Sequence, residues 1–134
     1  MMRKRNRMHD RLGTATIELA VCLPLIVLIT FGGIEGASMI FTKQALVSSA
    51  YEGVKVAVKN DATEADVIAA TQSVLDGRTL VGAAVRIEPA DFSDLDRGEA
   101  IAVTVSAPSD TNSVFPFGPF QGQSLAVRAV MVKE

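Results

Sequence analysis

A long apolar run near the N-terminus constrains this chain more than any other feature of its 134 residues. No charged residue occurs from Leu19 to Ile34, and the apolar character continues to Phe41 before it ends at Lys43. About 20 mostly apolar residues cross a bilayer core, and a segment in hydrocarbon must satisfy its own backbone hydrogen bonds. The run therefore predicts a transmembrane helix over residues 14–41.

A cleaved secretory signal is a poorer interpretation of this run. The apolar core of such a signal is about 7–15 residues long and leads to a cleavage site made of small residues. Here the run is longer and passes directly into a helical pattern. We therefore expect the run to remain in the protein as a membrane anchor.

The charges on the two sides of the run predict its orientation. Residues 1–13 carry five Lys/Arg and one acidic residue, a net +4 with His9 neutral, whereas residues 14–134 carry eight Lys/Arg and fourteen acidic residues, a net −6. The basic flank of a transmembrane helix stays in the cytoplasm. We expect a single-pass protein of the bacterial inner membrane with a cytoplasmic N-terminus and a periplasmic or extracellular C-terminal domain. The acidic exported part argues against nucleic-acid binding.

Glu18 is a carboxylate at the cytoplasmic edge of the apolar run. Such a group is costly if it lies deep in the bilayer. One interpretation places Glu18 at the level of the lipid headgroups, where the cost is small. In the other, Glu18 meets a positive charge when helices assemble. That charge would be the amine created by cleavage after Gly13, which would make Thr14 the first residue and Glu18 the fifth.

The sequence contains no catalytic constellation. Its single His lies in the basic leader and its single Cys, Cys22, lies in the apolar run. No Gly-rich phosphate loop or metal-spaced His/Cys cluster occurs, so we expect no enzyme, no cofactor and no metal. In the stretch 91–99, DFSDLDRGE, the carboxylates of Asp94, Asp96 and Glu99 could bind calcium, but their spacing does not fit an EF-hand. A solvated acidic turn is the more common role of such a loop.

The helical pattern continues beyond the apolar run to about Lys59. One stripe of this helix is apolar, comprising Ile40, Val47, Tyr51, Val54 and Val58, and another is small, comprising Ala45, Ser49, Gly53 and Ala57. Small residues four apart let another backbone approach closely. That backbone belongs either to the chain's own domain or to a neighbouring subunit. We favour the first, because a small domain must cover this helix somewhere.

Residues 42–134 are expected to form a small α+β domain. Thr63 and Asp66 have the spacing of a capping box before a short second helix, and Gly77 is placed to end that helix in a left-handed cap. Alternating residues then predict three short strands, over 85–88, 101–106 and 125–131. We expect an antiparallel sheet whose apolar face packs on the long helix. The apolar loop 114–120, VFPFGPF, either caps the core or faces a partner.

Three further expectations concern the long helix itself. Residues 1–12 form a basic leader that we expect to be flexible, with the helix starting at Thr14 or Thr16 through hydroxyl capping. Pro24 lacks an amide proton, which predicts a kink or a local loosening. Glu35 should lie near the outer headgroups, where a charge costs little.

The stretch around Glu18 resembles a known family. The sequence Gly13-Thr14-Ala15-Thr16-Ile17-Glu18 is similar to the prepilin-peptidase site of type IV pilins. More of the chain, roughly residues 11–59, resembles TadE-like proteins, the minor pseudopilins of the tight-adherence (Tad/Flp) pilus system. The resemblance includes Pro24, the Gly33-Ile34-Glu35-Gly36 group and the small-residue helix over residues 48–57. One departure is Leu19, because Tad pilins often carry Tyr after the glutamate.

The resemblance implies a role in the assembly of a Tad/Flp pilus. Residues 1–13 would be a cytoplasmic leader that a membrane prepilin peptidase removes between Gly13 and Thr14, and Glu18 would then neutralise the amine of a neighbouring subunit. The implied partners are the peptidase, other Tad pilins and pseudopilins, and the pilus assembly platform in the inner membrane. The alternative is an uncleaved, single-pass, membrane-anchored periplasmic binding or interaction module.

Overall fold

The computed structural model describes residues 7–115 and 121–133, with side chains from Gly13 onward. Its elements are, in order, α1 (Arg7–Ala57), α2 (Glu64–Gly77), β1 (Ala84–Glu88), a 3-10 turn (Phe92–Asp94), β2 (Ala100–Pro108), the single helical turn α3 (Ser109–Asn112) and β3 (Ser124–Val132). The predicted α+β class, with one long N-terminal helix, a short second helix and three strands, is confirmed. The chain divides into two compact units, Met1–Ile34 and Glu35–Glu134.

Helix α1 begins at Arg7, not at Thr14 or Thr16. The expected capping start is wrong because nothing after Arg7 breaks a helix: Arg, Met and Leu are good helix formers, and Gly13 costs only about 1 kcal/mol relative to Ala. Residues 7–12 of the expected flexible leader belong to this helix, and residues 1–6 lie outside the described residues. The helix also continues without a break through Pro24.

The core of the second unit lies between α1, α2 and the sheet. Its fully buried side chains are Leu46, Ala50 and Val54 of α1, Val67 and Leu75 of α2, and Ile101, Val103 and Val105 of β2. The burial of each larger aliphatic side chain contributes about 1.5–3 kcal/mol. The apolar face of the sheet therefore packs on the long helix, as the alternation of residues predicted.

The sheet is antiparallel, in the order β1-β2-β3. Val85 of β1 and Val127 of β3 are both paired with Val105 of β2, so apolar side chains share one face. The opposite face carries a cluster of ion pairs, in which the Glu88 carboxylate lies 3.1 Å from Arg86 and 3.3 Å from Arg128. These ion pairs are exposed, so each adds about 1 kcal/mol or less.

Helix α2 begins with the predicted capping box. The Thr63 hydroxyl accepts a hydrogen bond from the Asp66 amide, and the Asp66 carboxylate accepts one from the Thr63 amide. The predicted left-handed cap at Gly77 is wrong, because Gly77 is the last residue of α2 and Thr79 has the positive φ, 54°. The Leu80 amide instead returns to the Leu75 carbonyl, which closes the helix end two residues later than expected.

Candidate functional site

The residues of the predicted processing site lie on α1, on its exposed surface. Gly13 has no atom of another part of the chain near the position where a Cβ would stand, and Thr14 is exposed beside it. Thr14 and Glu18 are four residues apart, so they share one face of the helix and lie about 6 Å apart along its axis. The helix thus displays the proposed new N-terminus and the carboxylate together.

Glu18 is exposed between apolar neighbours. Ile17 and Leu19 are also mostly exposed, and none of the residues that the structure describes forms a hydrogen bond or ion pair with Glu18. In water such a carboxylate needs no partner. In a bilayer the same group costs about 2.5–3.5 kcal/mol at the helix centre on insertion scales, and less towards the edge. The Glu18 carboxylate is therefore suited to pair with a positively charged group.

The rest of the first unit presents an apolar surface. Among the described residues, one helix is long and apolar enough to cross a membrane, within Gly13–Ala57, and none of its most apolar window is buried by the protein. The hydroxyl of Thr30 donates to the Ile26 carbonyl at 2.8 Å, so this polar group is satisfied within the helix. Cys22 lies on the same surface as a free, exposed thiol. This surface is suited to lipid or to other apolar helices.

Three glycines of the family-like motif region are open. A Cβ added at Gly32, Gly33 or Gly36 would meet no other part of the chain within 4 Å. The folding of the described residues therefore does not require glycine at these positions. Small residues on a membrane helix permit a close approach by another helix.

Glu35, in the Gly33-Ile34-Glu35-Gly36 group, has hydrogen-bond partners that the sequence did not predict. Its side chain is only 3% exposed. One carboxylate oxygen accepts a hydrogen bond from the Ser113 hydroxyl, and the other accepts one from the Phe115 amide at 3.3 Å. The sequence analysis considered only its depth in a membrane. The structure shows that the loop after α3, about 80 residues further along the chain, covers this carboxylate.

The small-residue stripe is buried by the chain's own domain, which confirms the favoured interpretation. Ala45, Ser49, Gly53 and Ala57 are all buried. A Cβ at Gly53 would overlap the hydroxyl oxygen of Thr71 and would lie 3.2 Å from Cγ1 of Val103. Glycine at position 53 is thus needed where α2 and β2 meet α1.

The apolar stripe of the same helix is divided. Val54 is buried in the core and Val58 is half-buried, whereas about half or more of the surface of Ile40, Val47 and Tyr51 is exposed. The exposed side chains recur at seven and four residues, so they share one face of α1. This face is not covered by the part of the chain that the structure describes.

The acidic loop is a closed turn. The Asp96 amide donates to the Glu99 carboxylate at 3.0 Å, and the Lys133 ammonium donates to the Ser93 carbonyl at 2.8 Å. Within the described ranges 13–115 and 121–133, no three His, Cys, Asp or Glu side chains are grouped so that they could hold a metal ion. The hydrogen bond from Lys133 is a long-range contact without a local sequence signal.

Of the apolar loop 114–120, residues 116–120 lie outside the described residues.

Comparison with known proteins relates one part of the chain to a family. The model of the family described as TadE-like protein matches residues 13–55. This match confirms the resemblance that the sequence analysis stated, and it includes Gly13, Glu18, Glu35 and Gly53. Searches of curated proteins and of solved structures found no match. The TadE-like family is one of Tad pilus components and is not known for enzymatic activity.

Proposed function

From the TadE-like character of residues 13–55, we propose that the protein is a minor pseudopilin that takes part in the assembly of a Tad/Flp pilus. The observation that carries the proposal is Glu18, an exposed carboxylate within an apolar helix surface, five residues after Gly13. In this account, α1 anchors the protein in the inner membrane through residues 14–41, and the acidic domain over 42–134 lies outside it.

Processing would supply the positive charge that Glu18 lacks. A prepilin peptidase would cut between Gly13 and Thr14, and would remove the basic leader with its net +4 charge. The new Thr14 amine of one subunit would then meet the Glu18 carboxylate of the next. Because these groups lie about 6 Å apart along one helix axis, this pairing requires parallel helices staggered by about four residues. Opposite charges in a low-dielectric surrounding attract strongly, so the pair favours this stagger over others.

The open glycines support the same arrangement. Gly32 and Gly33 lie about four turns beyond Glu18, and no part of the described chain occupies the space beside them. A neighbouring helix can therefore approach closely at these two glycines. The partners that follow from this account are other pilins or pseudopilins, the peptidase and the assembly platform of the pilus.

The number of pili that form with variants at Glu18 and Gly13 tests the proposal. Glu18→Ala and Gly13→Ala should each abolish or strongly reduce surface pili in the native host, counted by electron microscopy. Glu18→Asp keeps the charge and should retain part of the assembly, and Leu19→Ala should retain most of it. Normal numbers of pili in both Glu18→Ala and Gly13→Ala would sink the pseudopilin mechanism.

An uncleaved, membrane-anchored binding module is the second candidate. It is favoured by β3, which pairs with β2 alone among the described strands and exposes Val130 and Val132 on its outer face. An open edge strand can accept an extended peptide through backbone hydrogen bonds. For this function Gly13→Ala would change nothing, whereas Val130→Pro, which blocks the strand edge, would abolish binding of the soluble partner.

A further inference from the structure

Four exposed apolar side chains lie on three segments of the second unit: the early part of its α1 segment, the loop before β1 and the loop after α3. Ile40 and Phe41 of α1 are 59% and 66% exposed, Val81 before β1 is 58% exposed, and Val114 after α3 is 57% exposed. We call these four side chains the apolar collar. They come from three different segments, so no single local pattern in the sequence brings them together.

Hydrogen bonds connect the collar segments to one stretch of α1. Ser38 donates to the Asn112 carbonyl at 3.1 Å, next to the bond between Ser113 and Glu35. The Asn112 side chain in turn accepts from the Val81 amide and donates to the Val81 carbonyl, both at 3.0 Å. The segments that carry Val81 and Val114 are thus tied to α1 between residues 35 and 38, less than two turns before Ile40 and Phe41.

This stretch of α1 follows the membrane-suited run directly. From Glu35 to Phe41 a helix rises about 9 Å. The polar layer on each side of a bilayer core is about 5–8 Å thick. If the outer boundary of the core lies near Ile34, the stretch from Glu35 to Phe41 covers the depth of that layer. Lys43, exposed just beyond it, is placed to reach lipid phosphates.

We propose that the apolar collar inserts into the headgroup–acyl boundary of the outer leaflet, so that the domain rests on the membrane surface. The proposal rests on the membrane-anchoring part of the proposed function and is independent of cleavage and pilus assembly. A lipid surface fits better than a protein partner because the collar segments are bonded to residues of α1 that directly follow the uncharged run in the sequence. The Glu35 carboxylate has a defined role in it, since its bonds to Ser113 and Phe115 fix Val114 at this level.

The chain contains no Trp, so a single introduced Trp reports its own environment. Val114→Trp and Val81→Trp test the two loop members of the collar in the full chain. Leu28→Trp, in the apolar run, is the reference for membrane insertion. Tyr51→Trp is the reference for the domain surface, because position 51 is 52% exposed and lies about 15 Å further along α1 than Phe41. Each variant is reconstituted into phosphatidylcholine–phosphatidylglycerol vesicles with brominated acyl chains, which quench nearby Trp.

The proposal expects Val114→Trp and Val81→Trp to lose at least half their emission in brominated vesicles, with a blue-shifted maximum, while Tyr51→Trp keeps its emission. Acrylamide in the water should quench the variants in the opposite order. If both collar variants resist bromolipid and are quenched by acrylamide as readily as Tyr51→Trp, the collar faces water and the proposal is overturned. If they resist both quenchers, another protein copy covers the collar, which also overturns it.

The Leu28→Trp reference separates this proposal from the proposed function. Strong quenching of Leu28→Trp together with unquenched collar variants removes only the collar proposal and leaves the anchored pseudopilin intact. An unquenched Leu28→Trp shows that the apolar run is not in the bilayer, and both proposals then fail. Matched thermal unfolding of the four variants shows that the comparison is made between folded proteins.

Discussion

Gly53 of α1 lies so close to the hydroxyl of Thr71 in α2 that a methyl group at position 53 would overlap the hydroxyl oxygen. The domain therefore closes around a position without a side chain. Gly53 lies in the segment that matches the TadE-like family model. Its role in this protein is explained by packing within the chain, and no contact with a neighbouring subunit is required.

Gly53→Ala should destabilise the domain. Overpacking of a dense core costs about 1–3 kcal/mol, and the better helix propensity of Ala offsets about 1 kcal/mol of this. We expect a net loss of up to about 2 kcal/mol in the free energy of unfolding, measured by denaturant titration of the detergent-solubilised protein. Gly33→Ala is the matched control and should cost nothing, because no atom lies near its Cβ position.

A double variant identifies the cause of that loss. Thr71→Ala removes the hydroxyl that a residue at position 53 would meet, although Val103 remains 3.2 Å from the new methyl group. Gly53→Ala combined with Thr71→Ala should therefore cost less than the sum of the two single changes. Strict additivity would show that the two positions do not compete for the same space.

Glu35→Ala should loosen the loop after α3. The change removes the carboxylate that accepts hydrogen bonds from the Ser113 hydroxyl and the Phe115 amide, and leaves the local bonds between Ser113 and Phe115 in place. A hydrogen bond to a charged group contributes about 1.5–3 kcal/mol. We expect faster amide hydrogen exchange at Phe115, with a smaller effect for Glu35→Gln, whose amide oxygen still accepts one bond. Glu52→Ala, which removes only an exposed pair with Lys55 at 3.7 Å, should leave exchange at Phe115 unchanged.

The stability of α2 should depend on pH through its capping box. Hydrogen bonds from the Thr63 hydroxyl and the Thr63 amide lower the pKa of Asp66 below its ordinary value of 3.8. A carboxyl group whose pKa is lower in the folded than in the unfolded state binds fewer protons when folded. Its contribution to stability is therefore complete above the unfolded pKa, and it is lost as the pH falls through the folded pKa.

Asp66→Asn measures this contribution. The difference in unfolding midpoint between the parent protein and Asp66→Asn should be largest at neutral pH and should shrink steadily as the pH falls below about 4. Glu64→Gln lies in the same first turn and shares the helix-dipole effect, but it lacks the capping box, so its difference should be smaller. A constant Asp66→Asn difference from pH 7 to pH 2 would contradict this role.

The sequence predicted the elements that have strong local patterns. The apolar run indicated α1, the Thr63–Asp66 spacing indicated the start of α2, and period-two alternation indicated β1, β2 and β3. Observed strand ends extend beyond the predicted ones by up to two residues, because hydrogen-bond register continues where side-chain alternation is weak. The favoured role of the small-residue stripe is also confirmed. A small domain must pack closely on its central helix, and small side chains permit that approach.

The contacts of the motif residues could not be predicted from the sequence immediately around them. Glu35 and Ser113 are 78 residues apart in sequence, so their contact exists only after the sheet has formed. The start of α1 at Arg7 was missed because a hydroxyl residue was taken as a cap where favourable helix formers precede it. The roles of Gly13, Thr14 and Glu18 depend on a peptidase and on neighbouring subunits, so they stay predictions.

Cys22 offers a test of the span through the protein's own thiol. Its thiol is exposed on the protein, so only lipid or another helix can shield it from water. We expect a water-soluble maleimide to leave Cys22 unmodified in membranes and to modify it after denaturation in detergent. Glu64→Cys in a Cys22→Ala background should react from the periplasmic side of intact spheroplasts. Reaction of Glu64→Cys only after the cells are opened would reverse the proposed orientation.

The central claim is tested most directly by the intact mass of the protein extracted from membranes of its native host, with the N-terminal peptide sequenced. The account predicts a chain that begins at Thr14 in the parent protein and at Met1 when the prepilin peptidase is deleted. A chain that retains residues 1–13 in the presence of active peptidase would contradict it, because Glu18 would then have no new amine to meet.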